Sequence, residues 1–279
     1  MVDPGTLYIV ATPIGSARDI TLRALDILGA VDVIAAEDTR KTRRLLDLHA
    51  ISLAGRPLIA YHDHNGPSVR PRIIEHLKAG RSVAYVSDAG TPLVADPGFA
   101  LVRETLAADQ AVTSAPGPSA VLTALSIAGL PTDKFLFAGF APPKSEQRKR
   151  FLAEISDVPA TLVFFETAKR SSAMLKDCLA IFGDRSAALC RELTKKYEEV
   201  ARGSISSLIE RSEAGLKGEV VVLIDRNRAE ATPEDMESHL REALKTMRVK
   251  DAAAEVSQKL GLPRRDVYQA ALALQNDIS

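Results

Sequence analysis

The stretch VSDAGTPLVADPG occupies residues 86–98 and continues an apolar run that begins at Val83. It places two Asp, two Pro and two Gly within thirteen positions. A buried strand that ends in so stiff and polar a loop is typical of an open α/β sheet, in which ligands bind beyond the carboxyl ends of the strands. The loop therefore predicts a ligand site, and other strands should contribute loops to it.

Short runs rich in Val, Ile, Leu and Ala alternate with segments of helical period, which is the pattern of βαβ units and indicates an α/β protein. Helices are predicted between the strands, for example at Thr21–Leu28, for which Asp19 is a possible cap, and at Arg70–Leu77, before Gly80. The predicted strands are Leu7–Ala11, Asp32–Ala36, Leu58–Tyr61, Val83–Ser87, Ala111–Ser114, Phe135–Phe140, Thr161–Glu166, Ser186–Arg191 and Glu219–Asp225.

The stretch SAPGPS breaks the chain near residues 115–118, and after it the strand signal repeats. We therefore predict an N-terminal α/β domain at residues 1–116, a C-terminal α/β domain at 117–229 and a small helical domain at 230–279. In the last segment, apolar residues recur at helical spacing in three stripes. This pattern fits a helix-turn-helix, and it fits equally well three small helices that pack only for stability.

A chain of 279 residues is long enough for two compact domains and a small appendage. The 36 Lys and Arg balance 36 Asp and Glu, so a nucleic-acid partner would be held by local basic patches. Cys178 and Cys190 form no CxxC pair, and we interpret both as structural thiols in a reducing compartment. No apolar run is long enough to span a membrane, and the first residues lack the features of a signal peptide. We expect a cytoplasmic protein.

The common phosphate-binding and esterase motifs are missing from the chain. No two glycines are separated by a single residue, which excludes GxGxxG, and neither a P-loop nor GxSxG occurs. The remaining candidates are five loops that follow the five predicted strands of the first half and that could share one cleft. They read ATPIGSARD, EDTRKTRR, HDHN, SDAGTPLVADPG and APGPSAV.

Eight motifs carry a resemblance to a known family. In chain order they are LYIVATPIG, AAEDTR, HDHN, VSDAGTPLVADPG, PGPSAVLTALSIAGLP, GF, RELTK and KGEVV, spread from about Thr6 to Asp225. The chain resembles the tetrapyrrole methylase superfamily, and more closely its ribosomal RNA branch, the small-subunit rRNA (cytidine-2′-O)-methyltransferases I. It departs from the usual pattern at Ser16, where Asn is common, and at Ala115, where a larger apolar residue is common.

The resemblance implies two α/β domains, a homodimer, and S-adenosylmethionine bound in the cleft between the domains. It also implies a function, the methylation of a cytidine ribose of small-subunit ribosomal RNA. The loop of residues 86–98 would then form a wall of the cofactor site, although Asp88 is also interpretable as a helix or turn cap. The cofactor-binding residues implied are Pro13, Asp88, Gly90, Thr91, Ser119 and Ala120.

Transfer of a methyl group to a ribose 2′-hydroxyl requires alignment and benefits from a base or a cation near the oxygen. The candidates on loops are Glu37, Asp38, His62, His64, Glu166, Glu192 and Lys195. Of these we select Asp38 and His64 as catalytic residues. A surface or loop-anchoring role for His62 and His64 fits the sequence at least as well, because Asp63 and Asn65 favour a turn. No metal ligand is assigned.

Two basic runs are candidates for RNA contact, RKTRR at residues 40–44 and KSEQRKR at 144–150. Basic runs on helices are often only solvated faces, but phosphates would be attracted to them. The predicted RNA-binding residues are Arg40, Lys41, Arg43, Arg44 and Lys195. Two other functions stay open, namely a methylase of a small tetrapyrrole and a ribosome-binding module without turnover.

Overall fold

The computed structural model describes residues 2–95, 98–227, 233–260 and 262–278. The chain divides into two compact units, Met1–Ser156 with Ala160–Asp225, and Asp157–Pro159 with Arg226–Ser279. Both predicted sheets are present, and both lie within the first unit. The domain boundary predicted near residue 116 falls between the last strand of the first sheet and the helix that follows it, and it stays a prediction.

The first sheet has five strands in the order β3-β2-β4-β1-β5, and all its pairs are parallel. Because parallel strands need crossover connections, helices follow β1 to β4 and cover the sheet. All five strands predicted in this half are confirmed, with bounds that differ by one residue at some ends. The strands are β1 (Thr6–Val10), β2 (Val33–Ala36), β3 (Leu58–Ala60), β4 (Val83–Val86) and β5 (Ala111–Ala115).

The two faces of this sheet bury separate cores. Leu7 and Ile9 contribute to one core cluster, whereas Tyr8 and Val10 contribute to the other. This alternation follows from the two-residue period of a strand. With both faces covered, the sheet can present a ligand site only at an end of its strands. The helices of this half are α1 (Leu22–Ala30), α2 (Thr39–Leu48), α3 (Gly66–Lys78) and α4 (Phe99–Ala107), and a short 3-10 helix spans Ala17–Asp19.

The second sheet is mixed, in the order β6-β7-β10-β8-β9, and only its β6–β7 pair is parallel. Four of its strands were predicted, and Glu199–Ser204 was missed. That strand is mostly polar and lies at the edge of the sheet with little burial, so it lacks the apolar run that marked the others. The strands are β6 (Phe135–Phe140), β7 (Thr161–Thr167), β8 (Ser186–Arg191), β9 (Glu199–Ser204) and β10 (Glu219–Ile224).

Helices α5 to α8 accompany the second sheet, and α5 packs on the core cluster that contains Val163, Cys190 and Val221. The last three helices form a core of their own. Leu240, Val256 and Val267 are fully or almost fully buried in that core, as the three apolar stripes predict. These helices are α5 (Ala120–Ala128), α6 (Ser145–Glu154), α7 (Ala168–Phe182), α8 (Ile205–Glu213), α9 (Pro233–Ala243), α10 (Val249–Leu260) and α11 (Arg264–Ile278).

One predicted helix cap is wrong. Helix α1 is capped by Thr21, whose side chain accepts a hydrogen bond from the N–H of Ala24 at 3.1 Å. Asp19 lies two residues too early, at the end of the 3-10 helix, so its carboxylate does not reach the free N–H groups of α1. Asp96 and Pro97 of the opening stretch lie outside the described residues.

None of the helices in the described part of the chain combines the length and the apolar character that crossing a membrane requires.

Candidate active site

A cavity of about 390 Å³ lies where loops of the first sheet face the carboxyl end of β7, the end of β8 and the start of β10. Its volume is in the range of pockets that hold small ligands. The lining residues are Ile14, Glu37, Lys41, Asp88, Ala89, Gly90, Thr91, Val94, Ala95, Ser119, Ala120, Phe140, Phe165, Glu166, Thr167, Cys190, Leu193, Lys195, Glu219, Val220 and Val221.

Two backbone hydrogen bonds join the loop after β1 to the loop after β4. The N–H of Thr12 donates to the carbonyl of Gly90, and the N–H of Gly90 donates to the carbonyl of Thr12, both at 2.9 Å. Gly90 has a φ of +80°, which a residue with a side chain adopts only at a cost. The hydroxyl of Thr91 then donates to the carbonyl of Pro118 at 3.0 Å, so the loop after β5 is held as well.

The loop after β4 also anchors the two halves of the first unit to each other. Leu93 packs against a core cluster of the first sheet, whereas Val94 packs against the core of the second. Leu93 and Ala95 have φ values of 73° and 60°, a region that residues with side chains rarely adopt. Strained backbone of this kind persists where the surrounding structure holds it and clusters at functional sites.

Asp88 anchors a neighbouring loop and pairs with a cation. One carboxylate oxygen accepts the N–H of Asp38 at 3.0 Å, and the other pairs with Lys41 Nζ at 2.6 Å. The N–H of Asp88 donates to the carboxylate of Glu37 at 3.1 Å. The hydrogen bond to Asp88 raises the pKa of Lys41, so this lysine stays protonated at the cavity wall.

A second cation enters from the other sheet. Lys195 Nζ pairs with Glu192 at 3.0 Å and with Glu219 at 2.6 Å. Burial lowers the pKa of Lys195, but the hydrogen bonds to Glu219 and Glu192 outweigh it, and the pKa is raised. The cavity therefore has a protonated lysine from each half of the unit, and carboxylates hold both in place.

The loop that carries Lys195 packs closely on the loop after β1. The N–H of Ser16 donates to the hydroxyl of Thr194 at 3.0 Å. This contact uses the backbone N–H of Ser16 and does not depend on its side chain. A Cβ at Gly15 would lie 2.6 Å from Lys195 Cγ and from Thr194 Oγ1, so only glycine fits there.

The cavity brings together seven of the residues selected from the sequence. They are Asp88, Gly90, Thr91, Ser119, Ala120, Lys41 and Lys195. Pro13 lies between Thr12 of the backbone bridge and Ile14 of the lining, but it is not itself in the lining. Arg40, Arg43 and Arg44 line a separate shallow depression on α2 with Thr39 and Asp47.

The two residues selected as catalytic also lie outside the lining. Asp38 caps α2, where its carboxylate accepts the N–H of Arg40 at 2.8 Å and pairs with the Arg40 guanidinium. These hydrogen bonds hold the pKa of Asp38 well below its usual range, which makes the carboxylate a weak base. His64 is exposed in the turn before α3, with its ring centroid 6.0 Å from that of His62.

Several lining residues were missed by the sequence analysis. Ile14, Val94, Phe140 and Phe165 supply an apolar surface, and Glu219 supplies a carboxylate. The sequence shows that these residues lie in or next to predicted strands and their loops. Apolar residues at such positions usually belong to the core, so the sequence alone did not mark them as lining residues. The motif GF at residues 139–140 was a signal for Phe140.

Both cysteines are buried free thiols, and Cys190 belongs to the cavity lining. Burial raises the pKa of Cys190 to about 11 and that of Cys178 to about 12. Neither thiol ionises near neutral pH, which agrees with a structural role. Within the described residues, no group of three or more His, Cys, Asp or Glu side chains is arranged to hold a metal ion.

Comparison with known proteins identifies the family. Residues 6–209 match the family of tetrapyrrole (corrin/porphyrin) methylases, and residues 230–275 match the RsmI C-terminal HTH domain. A solved cobalt precorrin-4 methyltransferase is similar to 79% of this chain and 95% of its own, with a TM-score of 0.59 and 18% identity. A solved uroporphyrin-III C-methyltransferase from Thermus thermophilus is similar to 80% of this chain and 94% of its own, with a TM-score of 0.56 and 21% identity. The chain is thus a methyltransferase of the tetrapyrrole methylase fold with a small helical domain at its C-terminal end.

Curated relatives define the branch. The protein named ribosomal RNA small subunit methyltransferase I in Halalkalibacterium halodurans is 42% identical to this chain, and the match covers 95% of this chain and 94% of the relative. The protein of that name in Mesorhizobium japonicum is 44% identical, and the match covers 97% of this chain and 92% of the relative. The relative of that name in Escherichia coli O157:H7 is 42% identical, and the match covers 97% of this chain and 96% of the relative. The chain belongs to the ribosomal RNA small subunit methyltransferase I family.

Substitution of Gly15 tests whether the packed loops hold the cavity together. Gly15→Ala should lower the free energy of unfolding by about 1–3 kcal/mol, because the new methyl group overpacks against Lys195 and Leu193. Gly29→Ala is the matched control, since a Cβ at this helical glycine meets nothing within 4 Å. It should raise the free energy of unfolding by up to about 1 kcal/mol. Urea denaturation measures both, and equal effects of the two substitutions would contradict the packing described here.

Proposed function

We propose that this protein transfers the methyl group of S-adenosylmethionine to the 2′-oxygen of a cytidine in small-subunit ribosomal RNA. The observation that carries the proposal is the cavity with Asp88, Lys41 and Lys195 on its walls, in a chain whose relatives are named for small-subunit rRNA methylation. We place the site of methyl transfer in this cavity.

The cavity fits S-adenosylmethionine in size and in character. The ligand has a nucleoside, a cationic sulfonium and an amino-acid end, and the walls offer apolar side chains, carboxylates and lysines. Gly90, Thr91, Ser119 and Ala120 would contribute walls, with Asp88 as a polar partner and Pro13 as a stiff support behind Ile14. When bound, the sulfonium supplies a methyl group that is already activated for transfer.

The remaining task of the protein is to align the attacking hydroxyl and to manage its proton. Lys41 and Lys195 are protonated and would stabilise negative charge that develops on the ribose oxygen. Asp38 and His64 stay predictions for the general base. Of the two, His64 is the stronger proposal, because the Arg40 guanidinium makes Asp38 a poor proton acceptor.

Two other functions are separable from this one. Methylation of a small tetrapyrrole would use the same fold, but the relatives that cover nearly the whole chain are named for ribosomal RNA. A ribosome-binding module without turnover would retain RNA affinity and lose methyl transfer.

Transfer of a labelled methyl group is the direct test. Purified protein, S-adenosylmethionine with a labelled methyl group, and small ribosomal subunits that lack the modification should together give labelled ribosomal RNA, with the label on a cytidine 2′-oxygen. Labelling of a uroporphyrin instead of RNA would favour the tetrapyrrole alternative. Subunit binding without any labelling would favour the module without turnover.

The exposed face of α2 is proposed as an RNA contact. Arg43 and Arg44 are exposed beside the cavity residue Lys41 on the same helix, and Arg40 is exposed although it pairs with Asp38. Phosphates of an RNA that enters the cavity would pass close to these charges. We also propose that Lys195 contributes to RNA binding from the second sheet.

The C-terminal helices are proposed to dock on ribosomal RNA. Residues 241–265 contain seven basic residues (Arg241, Lys245, Arg248, Lys250, Lys259, Arg264, Arg265) and three acidic ones (Glu242, Asp251, Glu255), a net charge of 7 − 3 = +4. Truncation after Arg228 tests this role, because a chain that still binds S-adenosylmethionine should methylate subunits poorly. Full methylation by the truncated chain would contradict it.

We further propose that the protein acts in the cytoplasm, where ribosomal RNA is assembled, and as a homodimer. The apolar side chains of Phe99 and Leu106 are exposed, and because the two residues are seven positions apart they lie on the same face of α4. This face offers a surface for self-association. Light scattering of the purified chain measures its mass directly, and a monomer at micromolar concentration would contradict the dimer.

Substitution of Asp88 tests its role toward the cofactor. Asp88→Asn keeps an oxygen that can accept the N–H of Asp38 but removes the charge that a cationic ligand would require. We expect the affinity for S-adenosylmethionine to fall about 10-fold or more, as for the loss of a hydrogen bond to a charged group. Asp63→Asn is the control, because Asp63 is exposed on the loop after β3 and outside the cavity lining. Calorimetric titration that gives equal affinities for both variants would remove Asp88 from the cofactor site.

Neutralising α2 tests the RNA contact. Replacing Arg40, Arg43 and Arg44 by Gln should weaken binding to small subunits and lower the slope of log affinity against log salt by about 2, because about three phosphate contacts are lost. Affinity for S-adenosylmethionine should not change. The control replaces Arg72, Lys78 and Arg81, which are exposed on α3 and the turn after it. A salt slope equal to that of the control would make α2 an ordinary solvated face.

A further inference from the structure

Phe140 is a large apolar side chain that the fold leaves open to solvent at the cavity. It lines the cavity, yet 55% of the residue is exposed. Its ring lies 5.6 Å from the ring of Phe165, measured between centroids, and Phe165 in turn lies 4.8 Å from Phe137. We call these three rings the aromatic wall. The inner two pack against the core of the second sheet, and Phe140 is the outermost.

A β-bulge puts Phe140 on this wall. Phe137 pairs with Val163, but Gly139 pairs with Phe164, so Ala138 is an extra residue in β6. Without it, Phe140 would pair with Glu166 and point to the opposite face, because side chains alternate along a strand. With it, Phe140 pairs with Phe165 and shares its face. Bulges next to active sites commonly re-aim a side chain in this way.

The backbone after Phe140 is fixed by two arginines. Arg170 Nη2 donates to the carbonyl of Ala141 at 2.7 Å, and Arg170 also pairs with the buried carboxylate of Glu166. Arg148 donates to the carbonyls of Pro142 and Pro143 at 3.2 and 3.1 Å. The backbone on either side of this exposed ring is thus held in place, by the bulge before it and by the arginine hydrogen bonds after it, as a preformed binding surface requires.

We propose that Phe140 is the platform on which the base of the target nucleotide stacks while its ribose is methylated. The inference rests on the proposed RNA methyl transfer in this cavity. A nucleotide whose ribose reaches the cavity has to leave its stack in the RNA, and an aromatic side chain replaces the lost stacking. The ring face is sequence-tolerant, so Phe140 positions the nucleotide without choosing the base.

The adenine of the cofactor is the other nucleobase that this wall could hold. Small ligands bury most of their surface in a pocket, so the cofactor is expected on the inner residues, whereas an outermost ring that remains half exposed faces what arrives from solvent. Lys41 of the lining and the basic face of α2 also place positive charge beside the cavity, where it would attract the phosphates of an incoming nucleotide.

Three substitutions at one position separate stacking from packing. Phe140→Leu retains apolar bulk without an aromatic face, Phe140→Ala removes both, and Phe140→Tyr retains the ring. Phe135→Leu is the matched control, because Phe135 is 43% exposed on the same strand but lies outside the cavity lining. The measurements are kcat and KM for methylation of small subunits, the affinity for S-adenosylmethionine by calorimetry, and the stability in urea.

Stacking predicts that the Leu and Ala variants lose kcat/KM for small subunits by about 5- to 150-fold, the fold-change that corresponds to about 1–3 kcal/mol of stacking per base. The Tyr variant and the Phe135→Leu control should stay near the wild type, and affinity for the cofactor should change less than 2-fold in all of them. A parallel loss of cofactor affinity would assign the wall to adenine and overturn the proposal. Wild-type kcat/KM in the Leu variant would overturn it as well. Neither result would contradict the proposed methyl transfer, because methylation of small subunits by the wild-type protein is measured separately in the same assay.

Discussion

The pair of backbone hydrogen bonds between Thr12 and Gly90 is the interaction on which the site depends. It joins the loops after β1 and β4 at the carboxyl edge of the first sheet. From these joined loops, the partly buried side chains of Ile14 and Val94 pack against the core of the second sheet. Because apolar side chains of one half pack against the core of the other, separating the two sheets would expose apolar surface to water. The cavity is therefore a product of the same packing that stabilises the unit.

The charges of the cavity are arranged so that the two lysines remain cationic. Asp88 pairs with Lys41, while Glu192 and Glu219 pair with Lys195. Each lysine comes from a different half of the unit, and both line the cavity, so each half contributes positive charge to its wall. In a partly desolvated cavity such charges act more strongly than in water, and they are already oriented before a substrate arrives.

Much of the fold was readable from local patterns, and the errors have physical causes. Nine strands were found because they are rich in apolar residues, whereas Glu199–Ser204 was missed because its residues are mostly polar. The cap at Asp19 was wrong by two residues because the 3-10 helix before α1 changes where the first free N–H groups lie. For the site, the family resemblance implied Asp88 and Thr91, Lys195 was a candidate on a loop, and the structure places all three in one cavity. The motif GF drew attention to Phe140, but the direction of its side chain depends on a bulge that only the pairing with β7 reveals.

The sequence by itself determined the class of fold, the order of its elements and the family, because period, turn residues and motifs are local properties of the chain. Tertiary structure decided which loops meet, which of the charged residues face the cavity and which only cap a helix. Asp38 and Asp88 illustrate the difference, since both follow a strand in an acidic motif. One binds the first turn of its own helix, and the other reaches across to a neighbouring loop and to Lys41. The reason is that a carboxylate takes the nearest suitable donors, and which donors are near is set by the packing of segments about fifty residues apart.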